Sequence, residues 1–220
     1  DLATMPTTTS TTMKPSNIVV LASLLVAATG VLADQCSSIR QRREFRTLSP
    51  TERQAYITAI KTLQNSQNRS KYDNYVKRHT EVSVYAHGNS RFLSWHRAYI
   101  RAFEKDLQAI DPNVMLPYWD WAYDSQAPET SIIFTDQYYG GNGDGTRNWC
   151  VTNGQFANWH PQNGLNCIAR SFNNGQGNHI PAIWSWEAIR GAVFVANDYD
   201  TFRRSIEGPH GNVHNGIGYQ

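Results

Sequence analysis

The chain is poor in cysteine. Cys36, Cys150 and Cys167 are the whole complement of 220 residues, and an odd set closes at most one internal disulfide. Charge of one sign is scarce too. Twenty Lys and Arg stand against eighteen Asp and Glu, a net charge of +2 with no basic run. The electrostatic footprint of a nucleic-acid or anionic-membrane partner is therefore missing. Beyond the first thirty-odd residues there is no apolar stretch approaching the roughly 18 to 20 residues of a membrane span, and there is no internal repeat. Core material is plentiful, with 40% hydrophobic and 12% aromatic residues. One ordinary domain with irregular excursions is expected.

The N-terminal end reads differently. Met13 and Lys14 precede an apolar run from Ile18 to Ala28, followed by Val31-Leu32-Ala33. This is the n-region, h-region and small-residue cleavage site of a secretory signal peptide. A membrane anchor is the alternative, but the run is too short to span. Residues 1–33 are thus expected to be upstream sequence and signal peptide, with Met5 an alternative start. The mature domain, 34–220, would begin near Asp34 and be secreted into an oxidising compartment. Asn68-Arg69-Ser70 is a glycosylation sequon.

Ser49-Pro50-Thr51-Glu52 has the form of a capping box with proline in the first turn. Tyr56, Ile57, Ile60 and Leu63 then predict a helix over about 50–64, and the polar segment 64–70 a loop. Tyr72, Tyr75, Val76 and His79 share one stripe of a second helix, about 71–80. His87 precedes Gly88-Asn89 and is expected on a loop. Phe92, Trp95, His96, Tyr99, Ile100, Phe103, Leu107 and Ile110 mark a third helix, ended by Asp111-Pro112. His96 lies among the large aromatics of that face and needs a metal or a hydrogen-bond partner to offset its burial. Arg97 and Glu104 fall off this face or at its edge, where ion pairing is the default.

From Tyr123 to Ile183 glycine, asparagine, aspartate and glutamine crowd the sequence. A long irregular excursion with one or two short strands is expected, of the kind that is functional or pinned. A Cys150–Cys167 disulfide would pin it and stabilise by roughly 3 kcal/mol in the chain-entropy model. His160 and His179 sit among turn formers and read as surface or supporting histidines. Helical texture returns near the end, where Pro209 is expected to open a new helical turn that carries His210 and His214 on one side.

Three of the seven histidines, His79, His87 and His96, fall within eighteen positions, and His210 with His214 forms an H-x3-H pair. A zinc protease would carry glutamate after the first histidine of that pair, and this chain has Gly211. The ligand set is all imidazole, which suits copper, zinc, iron or nickel. A three-histidine set can hold one catalytic zinc with an open position. Two histidine groups on separate helices instead point to two metals facing each other across a bundle.

The segment from His79 to Trp121 resembles the CuA region of the tyrosinases, catechol oxidases and hemocyanins, the type 3 dicopper proteins. The resemblance rests on His87 in AHG, Phe92 with Trp95-His96-Arg97 in FLSWHR, Glu104, and Pro117-Tyr118-Trp119-Asp120-Trp121. FRRSIEGPHGNVHNGIG is similar to the first half of a CuB region, 199–220. REFRTLSPTERQAYI and CVTNGQFANW are similar to short secreted fungal polyphenol oxidases.

The resemblance implies a mainly α fold, a four-helix bundle with long irregular loops whose last helix is missing or incomplete here. It implies two copper ions, with His79, His87 and His96 on CuA, His210 and His214 on CuB, and a third CuB histidine absent. It implies O2 and a small phenol as substrates, o-diphenols leaving as o-quinones and monophenols as further candidates. A hemocyanin-type O2 carrier is the main alternative and a mononuclear zinc hydrolase a remoter one. Four departures stand out. Tyr85 occupies the position of a thioether cysteine. Thr62 stands where similar short proteins place the partner of the N-terminal cysteine, leaving Cys36 unpaired. Gly211 replaces an asparagine common in strong monophenol hydroxylases, and with Asn215 is a candidate for orienting substrate. The second copper is expected to be held poorly for want of a third ligand.

Overall fold

Pro50–Gln64 (α1) starts where its capping box sets it. The Ser49 hydroxyl accepts from the Glu52 amide at 3.2 Å, and the Glu52 carboxylate accepts from the Ser49 amide at 2.8 Å. Its apolar stripe, Tyr56, Ile57, Ala59, Ile60 and Leu63, is buried. Lys71–Glu81 (α2) follows, then a single turn Ser83–Ala86 (α3), the long Phe92–Ile110 (α4), Trp186–Phe194 (α5) and Tyr199–Ile217 (α6). This computed structural model describes residues 39–65, 70–157, 159–161 and 166–218. The signal-peptide segment, Cys36 and Asn68 lie outside them. Backbone contacts divide the chain into Asp1–Arg40 and Gln41–Gln220, and all that is described from Gln41 onward belongs to the second unit. The fold is mainly α, and no helix of the described residues is long and apolar enough to cross a membrane.

α1 packs against α2 and α4, and α4 touches α6. The main core joins α1 and Leu107 of α4 to Phe45, Val114, Tyr138, Phe156 and Trp159. A second cluster, Phe134, Phe172, Ile180 and Ile183, receives Trp119, Trp121, Val213 and Ile217, and so ties the excursion to α6. Glu104 is 4% exposed, so of the two expected places, off the apolar face or at its edge, it takes the edge, and buried. Ion pairing is nonetheless its role. It accepts from Arg42 at 2.8 and 2.9 Å, from Arg101 at 2.8 Å and from the Leu116 amide at 3.1 Å. Arg46 does comparable work nearby, donating to Asp124, which also accepts from the Trp119 indole at 2.7 Å.

The excursion contains no strand among the described residues, which corrects the expected short strands. Only the isolated bridges Asp144–Cys150 and Cys150–Ala169 form, because turns at Asn148, Trp149, Asn173 and Asn174 take positive φ and stop any ladder. Short 3₁₀ turns and the Cys150–Cys167 disulfide hold it instead. A second correction concerns Pro209. It opens no new turn but lies buried inside α6, a continuous helix. Proline removes one helical hydrogen bond. The rest of α6 compensates with an Asp198 cap, whose carboxylate accepts from the Thr201 amide at 2.9 Å, and with the buried Arg203 paired to Asp200 and Glu207.

Candidate metal centre

α2, α4 and α6 each bring histidine to one place. His79 sits in the last turn of α2, His87 directly follows α3, and His96 lies one turn into α4. The turn between His87 and α4 is built by Gly88, whose φ of +69° favours glycine, and by Asn89. The Asn89 amide group donates to the carbonyls of His87 and Tyr85 at 2.6 and 3.1 Å, and its oxygen accepts from the Arg91 amide at 3.0 Å. Two of the three rings then have a fixed tautomer. A carbonyl can only accept, so Nδ1–H of His87 donates to Ser83 at 2.9 Å, and Nδ1–H of His96 to Phe92 at 2.8 Å. Each leaves Nε2 as a bare lone pair.

The ligand atoms of His79, His87 and His96 lie within 4.8 Å of one another. Ring centroids are 5.0 Å apart for His79–His87, 4.8 Å for His87–His96 and 5.5 Å for His79–His96. Trp95 and Phe92 wall His96 at 4.9 and 4.7 Å. His96 Nε2 is buried with no hydrogen-bond partner. An orphaned buried lone pair facing two more imidazoles is costly unless something binds it. The residues present therefore fit a metal ion that prefers neutral nitrogen donors.

α6 supplies the second group. His210 and His214 face each other with Nε2 atoms 3.1 Å apart. The His210 ring lies 5.6 Å from His96 and 6.2 Å from His87. Burial holds the pKa of His79, His96, His210 and His214 below the usual imidazole value, with the neighbouring imidazoles adding to it. For His210 the value falls to about 4. All four are thus neutral near pH 7, the form that ligates. The two groups are joined by Glu207, which accepts from the Gly88 amide at 2.6 Å and from Arg203 at 2.5 Å.

Sequence reasoning had not singled out Glu207, since 119 residues separate it from Gly88 and no local period marks it. Gly211 and Asn215 share α6 with the histidine pair, and a Cβ at Gly211 would meet nothing within 4 Å. His160 and His179 are exposed and belong to neither group. Thr62 is exposed, and its hydroxyl donates to the Thr58 carbonyl. Tyr85 is half-exposed, with the Arg91 guanidinium over its ring at 3.9 Å.

Comparison with known proteins reaches the same residues. The family model for the common central domain of tyrosinase matches residues 69–220. A tyrosinase-like protein phomQ1′ of Diaporthe leptostromiformis is 32% identical over 165 residues, covering 63% of this chain and 43% of that one. A tyrosinase of Streptomyces lincolnensis is 35% identical over 123 residues, 52% and 42% of the two chains. Tyrosinase ustQ of Aspergillus flavus is 30% identical over 202 residues, 83% and 56%. The chain spans about half the length of these relatives. The matched span contains all three helices that carry the histidines, and with it the chain belongs to the tyrosinase family.

Proposed function

We propose that this protein is a secreted copper-dependent oxidase that converts o-diphenols to o-quinones with O2. The observation that carries the reading is the buried, unpartnered Nε2 of His96 facing His79 and His87 in a tyrosinase-family chain. In this reading His79, His87 and His96 hold one copper ion. His210 and His214 contribute to a second, for which the described residues offer no third imidazole. Bound copper, cycling between its two valences, supplies the one-electron steps by which the diphenol loses two electrons and two protons and O2 accepts them.

The chain's own residues prepare that chemistry. The carbonyls of Ser83 and Phe92 hold the ring protons of His87 and His96 at Nδ1, so both Nε2 atoms present a lone pair to a metal ion. Glu207 ties the His87 turn to α6 and fixes the spacing of the two groups. Gly211 and Asn215 are the proposed substrate-orienting positions. Gly211 has no side chain to orient a water for deprotonating a monophenol, so diphenol oxidation is the favoured reaction. The disulfide fits an oxidising compartment.

The test is quinone formation from catechol by copper-reconstituted protein under air. Turnover should be low, because the described residues offer the second copper only two imidazoles; what there is should need copper, stay absent with zinc and vanish in His96→Ala. Reversible O2 uptake without catechol oxidation would instead establish a carrier. Ester hydrolysis by the zinc form, with no quinone from the copper form, would instead establish a hydrolase.

A further inference from the structure

A cavity of about 290 Å³ lies away from the histidines, between the excursion and the last turn of α6. None of its lining residues belongs to the metal centre. Its walls are aromatic and aliphatic, including Phe45, Tyr118, Trp119, Ile133, Phe134 and Ile217. One charged residue lines it, Arg170.

Arg170 is an unusual inhabitant of such a place. A guanidinium has five N–H donors. Here Nη1 uses its two on the carbonyls of Gly140 and Gly141 at 2.6 and 2.7 Å, with Tyr139 more distant at 3.3 Å. Nε and Nη2 donate to no described residue, and no carboxylate of the described residues pairs with the charge. Carbonyl dipoles hold the group in position but do not neutralise it. Arg170 is half-buried, and a charge set against apolar walls is favoured by a partner of opposite sign. The free Nε–Nη2 edge is the fork that matches the two oxygens of a carboxylate.

Two further features favour the same ligand. The Arg170 guanidinium sits 5.4 Å from the Phe134 ring centroid, so a flat apolar body beside the carboxylate would meet aromatic surface. The hydroxyls of Tyr56 and Tyr139 are 3.2 Å apart on the same wall. One phenol proton satisfies their mutual bond and the other remains for an acceptor in the cavity. Burial keeps both phenols neutral, raising Tyr56 to about 12, and it lowers Arg170 to about 10, still charged near pH 7.

We propose that this cavity is a binding site for a small aromatic carboxylate, held by the Arg170 fork and a tyrosine hydroxyl and distinct from the metal centre. Its volume is close to the lower bound of roughly 300 Å³ for small-molecule sites. Benzoate is the probe, with benzamide as its uncharged counterpart.

The experiment is calorimetric titration of both probes into copper-free protein. Benzoate should saturate a single site, and benzamide should bind at least about tenfold more weakly because the charge-assisted pair is lost. Arg170→Lys keeps the charge and loses the fork, and should weaken benzoate at least about tenfold. Ile217→Trp fills the cavity and should abolish binding while leaving a cooperative thermal transition. His96→Ala should bind benzoate like the unaltered protein, which separates this cavity from the histidines. Equal binding of the two probes would overturn the proposal. So would loss in His96→Ala with retention in Arg170→Lys, or no benzoate binding at all. The probe comparison needs no variant and stands even if Arg170→Lys fails to fold.

Discussion

Replacing Glu104 with glutamine removes a negative charge from a point where three chain segments meet. Arg42 arrives from the segment before α1, Arg101 from α4 itself and the Leu116 amide from the segment after it. The Arg42 hydrogen bonds are the chief cause of a carboxyl pKa lowered from 4.5 to about 2. At 1.36 kcal/mol per unit that shift corresponds to about 3 kcal/mol. The Arg42 side chain keeps 33% of its surface exposed, and solvent screening brings the figure to about 2–3 kcal/mol.

The sign follows from the direction. The folded value lies below the unfolded one, so the stabilisation is complete above about pH 4.5 and is lost as pH falls through about 2. In metal-stripped protein at pH 7, Glu104→Gln should lower the midpoint of thermal unfolding by roughly 4–12 °C, taking about 2–4 °C per kcal/mol for a domain of this size. Circular dichroism melts between pH 7 and pH 2.5 are the assay, and the gap between the two proteins should narrow over the last two pH units. A gap that holds constant to the acid end, or no gap at pH 7, would refute the assignment of Glu104 as the charged tie.

Three other outcomes are expected. Reducing the Cys150–Cys167 disulfide, or replacing both cysteines with serine, should cost roughly 3 kcal/mol in denaturant titration. Gly143→Ala would drive a Cβ into the Trp149 and Arg170 carbonyls and should destabilise strongly, whereas Gly208→Ala in α6 meets nothing within 4 Å and should stabilise by about 0.5–1 kcal/mol. Gly211→Asn adds a Cβ that meets nothing within 4 Å and should raise the ratio of monophenol to diphenol turnover in paired oxygen-uptake assays; an unchanged ratio would remove Gly211 from the substrate-orienting role.

What could be read from the sequence was what local chemistry determines. The Ser49–Glu52 capping box and the apolar stripes of α1 and α4 need no distant partner, and the structure has them where the pattern places them. His87 beside Gly88 follows from turn chemistry; the stripe expected on α2 is only half-buried at Tyr72, Tyr75 and His79, and its Val76 is exposed. What escaped depends on contacts far along the chain. Glu104 is buried because Arg42, 62 residues away, comes to it. Glu207 matters because Gly88 is folded against it. Pro209 reads locally as a helix start, yet the cap and ion pairs of α6 carry the helix through it. One or two short strands are expected in the excursion, but its positive-φ residues permit only single bridges.

The central claim is that His79, His87 and His96 hold copper through imidazole nitrogen. X-ray absorption at the copper edge, on protein loaded with less copper than protein, tests it most directly. Affinity for copper over zinc alone would prove little, since nitrogen sites favour copper generally. An all-nitrogen shell with imidazole scattering is predicted, losing imidazole in His96→Ala and unchanged in His160→Ala and His179→Ala. A spectrum that His96→Ala leaves untouched would contradict the account.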